Sequence, residues 1–112
     1  MSRHRVYFEW ELPAGVVEVV RAICLDYKRR SLVLAQNTAS DKVRKMYTEL
    51  NAAIDNALLE IEPGVREFVL DDIARKRGYD FSKTSPYFAK NTYYRRKRKL
   101  VYDIARLLSL VE

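Results

Sequence analysis

Val43, Met46, Tyr47, Leu50, Ala53, Ile54, Ala57, Leu58 and Ile61 recur at steps of three and four without a break. A pattern of this length fits an amphipathic α-helix and no strand, and it needs a second apolar surface to cover it. Ser40 is an acceptable N-cap, and Asp41 puts negative charge in the first turn, where it complements the helix dipole. Upstream, Pro13 suits the first turn of a helix because its missing N–H would be unpaired there. From it Val16, Val20, Ile23, Tyr27 and Leu34 form one stripe, widened by Val17, Val19 and Cys24, before the polar cluster Gln36-Asn37-Thr38. Two long helices with a short polar link predict an antiparallel hairpin over 13–62. It must bury its face on the C-terminal part or on a second copy.

Glu62-Pro63-Gly64 breaks the pattern and marks an internal boundary. Val65, Phe68, Val69 and Ile73 start a third helix, which ends in Arg75-Lys76-Arg77-Gly78, with cations in the last turn followed by glycine. A short helix with Pro86 in its first turn fits the irregular stretch that follows. The final helix is expected from about Asn91 to Leu110, with Tyr93, Leu100, Val101, Ile104, Leu107 and Leu108 facing inward. Before all of this lies an arm, 1–12, whose segment Val6-Tyr7-Phe8-Glu9-Trp10 has no helical period. Its Phe8 and Trp10 either cover the edge of the core or dock a partner. With three Gly and three Pro in 112 residues, turns are too few for a β-sandwich, and the fold class expected is all-α.

Charge narrows the function. Residues 1–62 hold nine Lys/Arg and nine Asp/Glu, whereas 63–112 hold twelve and six, so the whole net charge of +6 sits in the second half. Its peak is the run Arg95-Arg96-Lys97-Arg98-Lys99. A one-sided basic field points to a polyanion such as nucleic acid, and less to an anionic membrane. Enzymes fit poorly. Cys24 and His4 are the single cysteine and histidine, with no Cys/His cluster around them, so structural zinc, a Cys–His pair and a Ser–His–Asp triad are all weak readings, and no cofactor or metal is expected. Asp71-Asp72, the one Asp-Asp doublet, reads as a solvated face, because helix neighbours point about 100° apart. No apolar run reaches membrane-spanning length and the N-terminus lacks a signal-peptide core, so a cytoplasmic location is expected.

Helix, short helix, turn and long basic helix is the order of a helix-turn-helix, whose second element enters the major groove. Residues 63–112 are therefore read as a DNA-binding module, with 13–62 serving dimerisation or partner docking. Asn91 or Thr92 is expected to cap the final helix and leave its N–H groups to a backbone phosphate. Asn91, Thr92, Arg95 and Lys99 share a face at steps of three and four. Arg95 is the candidate for reading guanine, because a guanidinium fork matches the O6/N7 pair. Arg96, Arg98 and Lys99 are candidates for phosphate contact, Tyr94 for the DNA backbone, and Lys90 belongs to the same DNA-binding set. No Asp or Glu lies between Asp80 and Asp103, so acidic neighbours at i,i+4 are not expected to explain the run. Phe88 and Tyr93 are read as core.

The stretch from Ala53 to Leu110 resembles the C-terminal part of phage-encoded late-transcription activators of the RinA/ArpU type, which are similar to region 4 of bacterial sigma factors. The matching marks are Arg66-Glu67-Phe68, Asn91-Thr92-Tyr93-Tyr94-Arg95, Lys97-Arg98-Lys99-Leu100 and Ile104-Ala105-Arg106-Leu107-Leu108. Two departures are Ala89, where that family often carries a capping serine, and Pro86. The resemblance implies a DNA-binding regulator of phage or mobile-element genes without enzymatic activity.

The reading is thus a sequence-specific binder of double-stranded DNA, working as a homodimer, with RNA polymerase as an alternative partner of the hairpin. Two rivals stand beside it. One is a small terminase-like packaging subunit acting in a ring, and the other a protein–protein adaptor whose basic helix meets an acidic partner.

Overall fold

The computed structural model describes residues 10–112, and among these every regular element is helical. The described residues form six α-helices: α1 (Ala14–Leu25), α2 (Tyr27–Gln36), α3 (Asp41–Leu58), α4 (Arg66–Ala74), α5 (Phe81–Thr84) and α6 (Lys90–Leu107), with a 3₁₀ turn at Pro63–Val65. The expectations for Val6-Tyr7-Phe8-Glu9 and His4 lie outside the described residues.

α3 forms where the apolar periodicity demands it. Ser40 caps it by accepting from the Val43 N–H, and Asp41 lies in its first turn. The helix expected over 13–36 does not run through. It breaks at Asp26 (φ −94°, ψ 5°) into α1 and α2. Arg30, only 2% exposed, is the group this break serves. Its guanidinium donates to the Ile23 carbonyl at 2.6 Å and to Asn51 Oδ1 at 2.7 Å, and pairs with Asp26 at 3.6 Å. A buried cation must find acceptors, and here a main-chain carbonyl at the bend supplies one.

α2 turns over at Asn37, which takes the left-handed conformation (φ 56°) that asparagine tolerates. It then runs antiparallel to α3, since Leu34 meets Arg44, Arg30 meets Asn51 and Tyr27 meets Asp55. α1 instead packs on α4 and α6, and the C-terminal half of α3 packs on α6. The core is therefore shared across the Glu62-Pro63 break: Val20 and Cys24, Ile54 and Leu58, Val69 and Ile73, and Tyr93, Leu100 and Ile104 form one cluster.

Several expected core positions lie outside it. Val17, Val19, Met46 and Leu107 are exposed, because the helix pairs present narrower contact stripes than the apolar pattern offers. Gly78 does not end α4. Lys76 takes the left-handed turn (φ 57°) two residues earlier. The short helix is Phe81–Thr84, capped by the Asp80 side chain, and Pro86 falls in the turn after it rather than in its first turn. α6 stops at Leu107, with Ser109 left-handed at φ 59°.

Candidate nucleic-acid interface

α6 begins behind Ala89, whose extended backbone (φ −68°, ψ 153°) sets the N-cap without any side-chain cap. Asn91 and Thr92 were expected to cap. They lie inside the first turn instead, and both are exposed. The Ala89 carbonyl accepts the Tyr93 N–H at 2.9 Å and starts the helical ladder.

The inner stripe of α6 is Tyr93, Leu100 and Ile104, at 0%, 2% and 0% exposure, as the periodicity predicts. Lys97 is on the same stripe, four residues after Tyr93 and three before Leu100. Its Nζ donates to the Arg77 carbonyl at 2.5 Å and lies 5.1 Å from the Tyr93 ring centroid. Burial pulls its pKa below the usual lysine value. One of the five cations is thus a half-buried strut.

Beneath it lies a polar network that places α6 on α4. Tyr93 donates its hydroxyl to Asp72 Oδ2 at 2.6 Å, and Arg77 Nε donates to Asp72 Oδ1 at 3.1 Å. Asp72 is 3% exposed, so the solvated-face reading of Asp71-Asp72 holds only for Asp71, which pairs with Arg75 and Arg77. Burial and the neighbouring carboxylate push the Tyr93 hydroxyl well above the usual tyrosine pKa. Among the described residues every buried side-chain polar atom has a hydrogen-bond partner. The clue to Asp72 was present in the sequence: Val65, Val69 and Asp72 stand at steps of four and three on one helical stripe.

The remaining cations divide in two. Arg96 and Lys99 face the link between α3 and α4. Lys99 pairs with Glu60 at 3.0 Å and with Asp103 at 2.7 Å, and Arg96 with Glu62 at 3.7 Å while donating to the Glu60 carbonyl at 3.2 Å. The Asp103 carboxylate holds the Lys99 ammonium above its ordinary pKa. The expectation that acids would not meet the run fails here, because Asp103 is itself an i,i+4 partner and Glu60 and Glu62 arrive from another helix end. Lys90, Asn91, Thr92, Arg95 and Arg98 are exposed at the front of α6.

Tyr94 is 40% exposed, but its hydroxyl accepts the Tyr79 N–H at 3.0 Å and so ties α6 to the α4–α5 link. Trp10 was expected either to cover the core edge or to dock a partner, and what it meets within the chain is a guanidinium of α6. It stacks on Arg95, with the guanidinium carbon 5.5 Å from its ring centroid.

Among the described residues no group of three or more His, Cys, Asp or Glu side chains is placed to hold a metal ion, and no helix is long and apolar enough to cross a membrane. Cys24 is buried, and burial pushes its thiol up to about 12. What the front of α6 offers chemically is cations, an amide, a hydroxyl and helix N–H groups without a side-chain cap, groups of the kind that suit an anion. Comparison with known proteins finds no matching family model, no matching curated protein and no matching solved structure.

Proposed function

We propose that the chain binds double-stranded DNA through the front of α6 and acts as a transcriptional regulator. The observation that carries the reading is the exposed set Lys90, Asn91, Thr92, Arg95 and Arg98 on the first turns of a helix whose opposite side is locked into the core. On this reading α4, the one-turn α5, the Pro86 turn and α6 are a helix-turn-helix, with α6 as the groove helix. Arg95 is the base reader, and Lys90, Arg98 and the N-terminal amides of α6 contact phosphates. Arg96 and Lys99 are reassigned: their partners on the Glu60–Glu62 link make them positioning residues first. Exposed ion pairs of this kind are worth about 0–1 kcal/mol, so they hold α6 in place without forbidding exchange for phosphate. Tyr94 likewise positions α6 through Tyr79.

Phage or mobile-element origin and homodimerisation belong to the same proposal. A single small module makes few base contacts, and a second copy doubles them over two half-sites. Binding-site selection from random duplex DNA tests the reading. Enrichment of a motif, with half-site spacing if two copies bind, is the expected result. Retention of duplex with no motif favours the packaging rival, and no retention of duplex overturns the proposal in favour of an adaptor.

A further inference from the structure

We propose that Trp10 is a built-in cover on the DNA-facing side of α6, so that duplex DNA and the indole compete for one surface. This rests on the DNA-binding reading above and adds a control step to it.

Leu12 packs against the core and fixes the chain two residues beyond Trp10. From that anchor the indole reaches Arg95, the residue assigned to base reading, at 5.5 Å. Trp10 borders a cleft of about 380 Å³ shared with Thr92, Arg95, Arg96 and Lys99. It also borders a second cleft of about 380 Å³, shared with Tyr94 and Arg98 among others. At 3.6 residues per turn, Thr92, Arg96 and Lys99 lie on one flank of Arg95, and Tyr94 and Arg98 on the other. The indole therefore sits astride the helix.

Width decides the consequence. A helix with its side chains is about 10–12 Å across, and the major groove is about 12 Å wide. The groove admits α6 bare and does not admit α6 with an aromatic ring laid over Arg95. Trp10 must leave before Arg95 reaches a base edge. The hold is weak enough to allow this: a surface cation–π contact amounts to about a two- to fivefold bias in an equilibrium.

The test uses the full chain and its Trp10→Ala variant, matched for helix content by circular dichroism and titrated with duplex DNA. Trp10 is the one tryptophan in the sequence, so its emission reports its own position. The expected result is that Trp10→Ala binds duplex about two- to fivefold more tightly. As DNA saturates the native chain, its emission moves toward that of the free Arg95→Ala variant, in which the stacking partner is gone. Equal or weaker binding by Trp10→Ala overturns the cover, since the indole then contributes nothing or is itself a DNA contact. So does an emission spectrum that stays fixed at saturation. Those outcomes leave the DNA-binding reading standing, whereas failure of both chains to retain duplex removes that reading and the cover together.

Discussion

Removing one oxygen atom from Tyr93 tests whether the Asp72 network sets α6 in place. Tyr93→Phe keeps the ring, and with it the edge contacts to Tyr79 and Tyr94 at centroid distances of 5.6 and 5.2 Å. It deletes only the hydroxyl that Asp72 accepts from at 2.6 Å. A hydrogen bond to a charged group contributes about 1.5–3 kcal/mol. Arg77, half exposed, remains to partner the carboxylate and should hold the cost near the middle of that range, about 2 kcal/mol. For a chain of this length that lowers Tm by about 8 °C. Thermal melting followed by far-UV circular dichroism measures it, with Tyr94→Phe as the control. The Tyr94 hydroxyl accepts from an amide at an exposed position, so its loss should cost about 0.5–1 kcal/mol. A Tyr93→Phe shift no larger than the control's would refute the claim that this bond anchors α6.

Two further outcomes follow from particular contacts. A methyl group on Gly78 would stand 2.8 Å from the Tyr94 hydroxyl, so Gly78→Ala should displace that ring, break its bond from the Tyr79 N–H and cost about 1 kcal/mol in urea unfolding; an unchanged midpoint would show that the Tyr94 tether is dispensable. Glu18, Asp26 and Asp80 have folded pKa values held below the ordinary 4.5 and 3.8, first by hydrogen bonds from Arg21, Arg29 and Ser82 respectively. The folded chain then binds fewer protons than the unfolded one. The stabilisation is present above the ordinary carboxylate range and is lost as pH falls through the depressed values, so the urea midpoint should drop between roughly pH 5 and pH 3. A flat or rising midpoint in that window would contradict the assignment.

How far the sequence reached depends on what each residue answers to. α3 and the inner stripe of α6 are legible because local periodicity alone determines them. The break at Asp26 is not, because Tyr27 keeps the apolar phase of α1 while the cause, buried Arg30, acts through Asn51 from another helix. Lys97 and Asp72 interrupt apolar stripes, and charge alone sends such residues to the surface in any reading by composition. Hydrogen bonds override that preference: Lys97 donates to the Arg77 carbonyl beyond the end of α4, and Asp72 accepts from Tyr93 on α6. The partners of Lys99 split the same way: Asp103 is local and visible at i,i+4, and Glu60 is visible only once α3 and α6 are packed together.

Salt dependence of binding to random duplex DNA tests most directly whether the front of α6 meets phosphates. Each phosphate neutralised contributes about −0.9 to the slope of log K against log salt. The Lys90→Ala, Arg98→Ala double variant, which removes the two side chains assigned to phosphates, should therefore flatten the slope by about two. Lys99→Ala should flatten it by well under one, because Glu60 and Asp103 already neutralise that ammonium. A slope that ignores the double variant, or one that Lys99→Ala flattens most, would contradict the account.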